Sequence, residues 1–326
     1  MTAARLITKL MKNMARVKAF RPLVRFILVL WAKSNKAPGY LYQCMEEAGP
    51  LLAAAEPLTG WLPNGFQVRC DLLDHVQRHI YFLGAYEPME SYIFSLLLKP
   101  GLTVMDIGAN IGQYSLLASK AVGETGQVFA FEPVPKNYNR LTNHISVNHI
   151  HNINANRMAV WNENGTVDLG LHQPEDLEQN AGSFAIGGQL GNVTAPAIVL
   201  DDFIKSNEIR RLDLIKMDIE GAEGFALKGM MQSLARFKPV ILMEVNREAC
   251  SHMNYNPQTF WDLLVRDLGY TAWAIGNDST QWVKLDSGQE VDRANVLFVY
   301  GELPQDLRKE WNLKTCLRWA RSGRSI

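Results

Sequence analysis

The run VMDIGANIGQYSLLASKA, residues 104–121, constrains this chain more than any other stretch. An apolar segment reaches an Asp, passes through two glycines and turns into a helical pattern. Glycine lets the backbone turn tightly and lets a ligand approach the main chain. In open α/β sheets, ligands bind where strands end and helices begin. The rest of the sequence keeps the same rhythm. Strands are expected over 103–108, 127–133, 153–160, 212–221, 239–246, 271–276 and 295–301, with helices over 113–122, 135–148, roughly 222–236 and 257–267. Such alternation predicts an α/β fold with a mainly parallel sheet and helices on both faces. Between the third and fourth strands lies a long insertion with a strand over 166–172 and a glycine-rich patch over 180–188. Upstream, GFQVRCDLL (65–73) and QRHIYFLG (77–84) read as two strands of a hairpin, and a helix starts at Pro88 and stops at Pro100-Gly101.

The ligand follows from the residues at the strand ends. The first strand ends at Asp106, and Gly108 and Gly112 bracket Ala109 and Asn110. The next ends at Phe131-Glu132-Pro133, where a carboxylate can accept hydrogen bonds from both hydroxyls of a ribose. Together these describe a nucleoside site. The dinucleotide fingerprint is G-x-G-x-x-G, with a middle glycine that makes room for a pyrophosphate. Here Asn110 fills that position, and the acid before the first glycine would repel a pyrophosphate. S-adenosylmethionine has a ribose, an ammonium and a sulfonium and no phosphate, and it fits. The competing reading is an NAD(P)-dependent oxidoreductase on a similar sheet.

Composition narrows the class. The 326 residues carry 33 basic and 33 acidic side chains, a balance that argues against nucleic acid as a partner. The four cysteines are widely spaced with no CxxC, which suits a reducing, cytoplasmic setting. Charge is uneven, however: residues 1–45 hold nine Lys and Arg and no acid. The apolar run LVRFILVLWA (23–32) is too short to span a bilayer. The segment reads either as a helix packed on the main domain or as peripheral contact with the inner face of an anionic membrane.

The sequence resembles FkbM-type S-adenosylmethionine-dependent methyltransferases. The resemblance runs from about residue 65 to 246 and is carried by FLGAYEP (82–88), LKPGLTVMDIGANIGQYS (98–115), FEPVPKNYNRLTNHISVN (131–148), LDDF (200–203) and LIKMDIEGAEGFALKGM (214–230). It implies a class I methyltransferase (Rossmann-like) fold, a seven-stranded sheet with the last strand antiparallel. It also implies O-methylation of a hydroxyl on a sugar, a glycan or glycolipid, or a complex natural product. By the same resemblance, Asp106, Gly108, Asn110 and Gly112 cradle the methionine end and the ribose, Glu132 is the ribose acid, and Met158 and Ala159 line the adenine. Tyr86 and Glu87 match a YE pair beside the cofactor, and Gly182-Ser183 stands where a Ser-Ser pair is common. The expected organisation is a basic helical extension over 1–64, the catalytic domain over 65–301 and a helical tail over 302–326.

Methyl transfer is an in-line displacement at carbon, so the protein mainly aligns acceptor oxygen, methyl and sulfur. A sugar hydroxyl needs a base to take its proton. The fourth strand offers Lys216, Asp218 and Glu220 on one face by alternation, and Glu244 ends the fifth strand. Asp218 is the first choice of base and Glu220 the second. Asp218 and Glu244 bracketing Mg2+ is one alternative, and a structural pair with Lys216 is another. Glu223 has a simpler role, as a charge in the first turn of a helix. His144, His149 and His151 lie at a helix end and the loop beyond, where histidines meet solvent or cap the helix more often than they bind a metal. The glycine-rich stretch 182–191 is expected to form a mobile cover over the acceptor. A non-catalytic membrane-associated module that kept the fold would have lost Asp106 or Glu132, and both are present.

Overall fold

The computed structural model describes residues 3–34, 37–171, 185–186, 188, 190–275, 282–307 and 312–323. They fall into two compact units, one from Met1–Tyr92 with Asn312–Ile326, the other from Ile93–Leu177 and Gly182–Trp311.

The first unit holds helices α1 (Ala3–Arg16), α2 (Arg21–Ser34) and α3 (Pro38–Ala48), a hairpin of β1 (Leu58–Trp61) and β2 (Gln67–Cys70), and α4 (His75–Leu83). Its core is Ala15, Val24, Leu28, Leu41, Met45 and Phe82 with their neighbours. The hairpin is not the expected one. Its strands are β1 and β2, whereas QRHIYFLG forms most of α4. Ile, Tyr and Phe in that octapeptide favour a strand locally, but end signals and packing override them. Asp74 caps the helix by accepting from Gln77 N at 3.0 Å, Gly84 ends it at φ 93, and Phe82 and Leu83 enter the core. An ionic latch ties α3 to α4. Glu46 accepts from buried Arg78 at 2.8 Å and lies 2.9 Å from His79 Nε2 and 3.2 Å from His75 Nδ1. These contacts outweigh burial and hold the Glu46 carboxyl well below the usual range.

Helix α5 (Pro88–Leu97) leads into the second unit. There β3 (Thr103–Ile107), α6 (Gln113–Val122), β4 (Gln127–Phe131), α7 (Pro135–Val147) and β5 (Ile153–Asn156) begin the expected alternation. The insertion supplies β6 (Ala159–Trp161), β7 (Gly165–Leu171), β8 (Ala185–Ile186) and β9 (Leu190–Val199). Then come α8 (Leu200–Ser206), β10 (Leu214–Met217), α9 (Glu223–Lys228), α10 (Met231–Phe237), β11 (Val240–Asn246) and α11 (Arg247–His252). A turn of α12 (Gln258–Phe260) continues as a π-helix over Trp261–Asp267, followed by β12 (Tyr270–Ile275), β13 (Trp282–Leu285) and β14 (Arg293–Tyr300).

The main sheet has the order β13-β12-β14-β11-β10-β3-β4-β5. From β5 to β11 all pairs are parallel, and β14 runs antiparallel to both of its neighbours. This is the class I methyltransferase sheet with an eighth strand, β13, added at the edge beyond β12. Met105, Ile107, Phe129, Phe131, Ile215, Met217, Ile241 and Met243 alternate along four strands and fill one face of the core.

Three local expectations change. The stretch 153–160 is two strands in two sheets: β5 pairs with β4, and β6 joins a second sheet of order β6-β9-β7-β8. The helix expected over 222–236 is broken into α9 and α10. At Gly229 a Cβ would lie 2.2 Å from the carbonyl oxygen of Trp161, so the chain there passes against β6. The strand expected over 212–221 stops at Met217.

Candidate functional site

Three strand ends meet around one turn. Gly108 (φ 83) follows β3, and the N–H groups of Gly108 and Ala109 both donate to the Phe131 carbonyl at the end of β4, at 3.0 and 2.9 Å. Asp218 N, just past β10, donates to Ile107 O at 3.0 Å. A Cβ on Gly108 would sit 1.9 Å from the Asp218 carbonyl oxygen, so only glycine fits between the two strand ends. Asn110 is left-handed at φ 50, a conformation that Asn tolerates better than most residues, and Gly112 (φ 95) begins the approach to α6.

Buried acids flank this turn. Glu132 is held by its own loop: Asn110 N donates to Oε2 at 2.7 Å and Val134 N to Oε1 at 2.9 Å. Burial lifts its carboxyl to about 7, against the pull of those two donors. Asp106 accepts from Ser115 Oγ at 2.5 Å, and burial raises it to about 6, with Ser115 and Lys216 opposing the rise. Glu132 N in turn bonds Asn156 O at 3.0 Å, which ties the end of β4 to the end of β5. Pro133 is half-buried beside it. Met158 packs on the main core and Ala159 is buried at the start of β6, two and three residues beyond Asn156.

These residues fit S-adenosylmethionine. The loop offers a side-chain-free backbone, two acids and, in the Asn110 Oδ1 atom, a buried acceptor without a hydrogen-bond partner among the described residues. A buried amide oxygen left unpaired costs free energy unless a ligand donor meets it.

The second cluster lies at the ends of β10 and β11. Lys216 is paired in register with Asp106, is fully buried, and its Nζ lies 3.6 Å from Asp218 Oδ2, 3.5 Å from Asn295 Oδ1 and 5.1 Å from the centre of the Tyr114 ring. Alternation accounts for Lys216 opposite Met217. It ends there, because Glu220 is left-handed at φ 51 and Ile219 N donates to Glu223 Oε1 at 3.0 Å. Glu220 nonetheless joins the group. Burial, then the charges of Asp218 and Glu244, raise its carboxyl well above the usual value. Glu244 is raised by burial and by Asp218, and accepts from Arg293 Nε at 2.8 Å. The structure thus brings Lys216, Asp218, Glu220 and Glu244 together. It adds Arg293, Asn295 and Tyr114, which carry no local motif. Glu223 closes the turn, accepting from Ile219 N and Gly221 N, and burial pushes it up to about 7.

The remaining assignments divide. Tyr86 and Glu87 belong to the first unit, where Tyr86 stands edge-on to His75 and Glu87 is left-handed at φ 46. His144 is buried and its Nδ1 lies 2.8 Å from the carbonyl of Ile111, while His151 is exposed. Gly182 and Ser183 lie outside the described residues, and of the stretch 182–191 only 185–186, 188 and 190–191 are described.

Comparison with known proteins identifies the family. The model of the methyltransferase FkbM domain matches residues 106–272, just over half of the chain. The hexuronic acid methyltransferase AglP of Haloferax volcanii is 29% identical over 137 residues, covering 42% of this chain and 53% of its own. The 2-O-methyltransferase NoeI of Sinorhizobium fredii is 26% identical over 164 residues, covering 44% and 63%. The chain therefore spans between half and two thirds of the length of these relatives. A solved FkbM methyltransferase from Methylobacillus flagellatus overlaps 70% of this chain and 55% of its own at 16% identity and a TM-score of 0.39, a likeness too loose to add weight. On the family match, this chain belongs to the methyltransferase FkbM domain family.

Proposed function

We propose that the protein transfers a methyl group from S-adenosylmethionine to a hydroxyl oxygen of a sugar, in a glycan, a glycolipid or a glycosylated small molecule. The observation that carries the cofactor is the Gly108–Glu132 cradle, in which a buried carboxylate is oriented by the backbone of the turn it faces. A ribose would donate its hydroxyls to Glu132, the Asn110 amide would meet a ligand donor, and Asp106 would set the negative potential that favours a cationic ligand. Met158 and Ala159 would border the adenine. The bound cofactor supplies an activated methyl on a sulfonium, a good leaving group. The acceptor is read from two relatives whose names specify a hexuronic acid and a 2-O position.

For the chemistry, Asp218 is the base. Its side chain is 30% exposed, so an acceptor hydroxyl can reach it, and Lys216 Nζ lies 3.6 Å away. It takes the hydroxyl proton as the oxygen attacks. Glu220, raised by burial and then by the charges of its neighbours, serves as proton reservoir or alternate base. Lys216 and Arg293 set a cation against Asp218 and Glu244, which meets part of the negative charge that Mg2+ would otherwise balance. A dinucleotide reading is disfavoured by the commitment of Asn110 N to Glu132 where a pyrophosphate would need that loop. We propose further that the enzyme works in the cytoplasm in peripheral contact with a membrane, where lipid-linked glycans are found. Incubation with methyl-labelled cofactor and a panel of uronic acids, glycans and glycolipids tests the acceptor. Label in a free sugar hydroxyl supports it, and label only in RNA or protein overturns it.

A further inference from the structure

Helices α1 and α2 each have two working faces. Inward, Thr8, Met11 and Ala15, and Val24, Leu28 and Ala32, are buried. Those side chains account for the packing of the pair on the core of the first unit. Outward, Leu6 and Leu10 share one face of α1, and Leu23, Phe26 and Leu30 share one face of α2 by the i, i+3, i+7 spacing. Val17 and Phe20 lie in the stretch that joins the helices, and all seven side chains are 46–59% exposed. Single exposed apolar residues are ordinary on protein surfaces, but seven large ones within 25 residues, five of them aligned on the outer faces of two helices, mark an interaction site.

Charge identifies the partner. Arg5, Lys9, Arg16, Lys18 and Lys33 are exposed among these residues and have no acidic partner among the described residues. The other cations are committed: Lys12 lies 3.4 Å from Glu47, Arg21 donates to Ala15 O at 3.1 Å and Arg25 to Leu52 O at 3.5 Å. The chain has no acid before Glu46. A second copy pairing through the same face would oppose like charges with nothing to neutralise them. No helix among the described residues is long and apolar enough to cross a membrane. A short helix pair with an apolar row and a basic border is built to lie in the plane of an anionic surface.

We propose that the outer face of α1 and α2 docks on an anionic lipid bilayer. Leu10, Phe20, Leu23, Phe26 and Leu30 enter the boundary between headgroups and acyl chains, and the five free cations meet lipid phosphates. The proposal rests on the reading of peripheral membrane contact and gives that contact its residues. It also resolves the two readings of the basic segment: the helices pack on the core with one face and leave the other for the membrane.

Deleting the segment would strip the core of the first unit, so point variants are the cleaner test. Full-length protein is mixed with vesicles of phosphatidylglycerol and phosphatidylcholine, or of phosphatidylcholine alone, and sedimented at low and high salt. The wild type is expected to sediment with the anionic vesicles at low salt and to be released by salt. Leu23→Ser/Phe26→Ser/Leu30→Ser should abolish binding, and each of Lys9→Gln and Lys18→Gln should weaken it about fivefold. All of these should leave the thermal unfolding midpoint in place, because the altered side chains are exposed. Wild type and variants that sediment equally would overturn the docking face while leaving peripheral contact intact. Wild type that stays in the supernatant overturns both. Light scattering that shows a dimer lost in the triple variant, without vesicle binding, assigns the face to a second copy and overturns the proposal.

Discussion

Replacing Glu132 by Ala perturbs the cradle at one atom group with two separable consequences. The first is on stability. Asn110 N and Val134 N, at 2.7 and 2.9 Å, lose their acceptor. A buried donor left unsatisfied costs about 1–3 kcal/mol, so the pair costs about 2–6 kcal/mol. Against this stands the burial of the charge, which lifts Glu132 from 4.5 to about 7. At about 1.4 kcal/mol per pH unit, the ionised carboxylate carries a penalty of about 3 kcal/mol. Because the folded pKa is the higher one, the stability that Glu132 contributes is fully present below about 4.5 and is lost as pH rises through about 7. The Ala variant should therefore be more destabilised at pH 5 than at pH 8, by about 2.5 kcal/mol. The second consequence is on binding. Losing one or more hydrogen bonds to a charged group costs about 1.5–3 kcal/mol, or roughly 10- to 150-fold in affinity for S-adenosylhomocysteine. Urea unfolding at the two pH values and calorimetry with S-adenosylhomocysteine measure the two effects. A folded variant with unchanged affinity would refute the ribose role. A stability loss that does not shrink towards alkaline pH would refute the buried-charge account.

Other changes follow from the same geometry. Affinity of the wild type for S-adenosylhomocysteine should rise as pH passes through about 7, as Glu132 ionises, and calorimetry in buffers of different ionisation enthalpy should show proton release. Asp218→Asn should lower kcat about 100- to 10,000-fold with cofactor affinity intact; full activity would move the base to Glu220. Gly108→Ala places a Cβ 1.9 Å from the Asp218 carbonyl oxygen at φ 83, and should cost about 3 kcal/mol or more in denaturant unfolding. Glu46→Ala leaves buried Arg78 without its carboxylate; because Glu46 itself is partly exposed, the loss should be about 2 kcal/mol, and no change in unfolding would dismiss the latch.

The cradle was legible in the sequence because its demands are local. Gly108 and Gly112 are at φ values that glycine alone adopts freely, and Glu132 directly follows the end of the next strand. Lys216 could be placed opposite Met217 because strand alternation holds to the last paired residue. Beyond it, the left-handed turn at Glu220 replaces alternation, so the convergence of Glu220 with Glu244 is a tertiary result. Arg293 was invisible because it reaches Glu244 across the antiparallel β11–β14 pair, 49 residues on in sequence. The helix α4 was misread because its apolar residues suit a strand as well as a helix, and the deciding signals, the Asp74 cap and the Phe82 packing, lie at its ends and in its contacts. The eighth strand β13 carries only four residues, too few for a periodic signal.

On the reading proposed above, the Gly108–Glu132 turn binds S-adenosylmethionine and not a dinucleotide. Thermal unfolding of the full chain with S-adenosylhomocysteine, and separately with NAD, tests it most directly. A ligand at 100 times its Kd stabilises the folded state by about 2.7 kcal/mol, enough for a rise of several degrees. The rise is expected with S-adenosylhomocysteine, not with NAD, and is lost in Glu132→Ala. A rise with NAD and none with S-adenosylhomocysteine would contradict it.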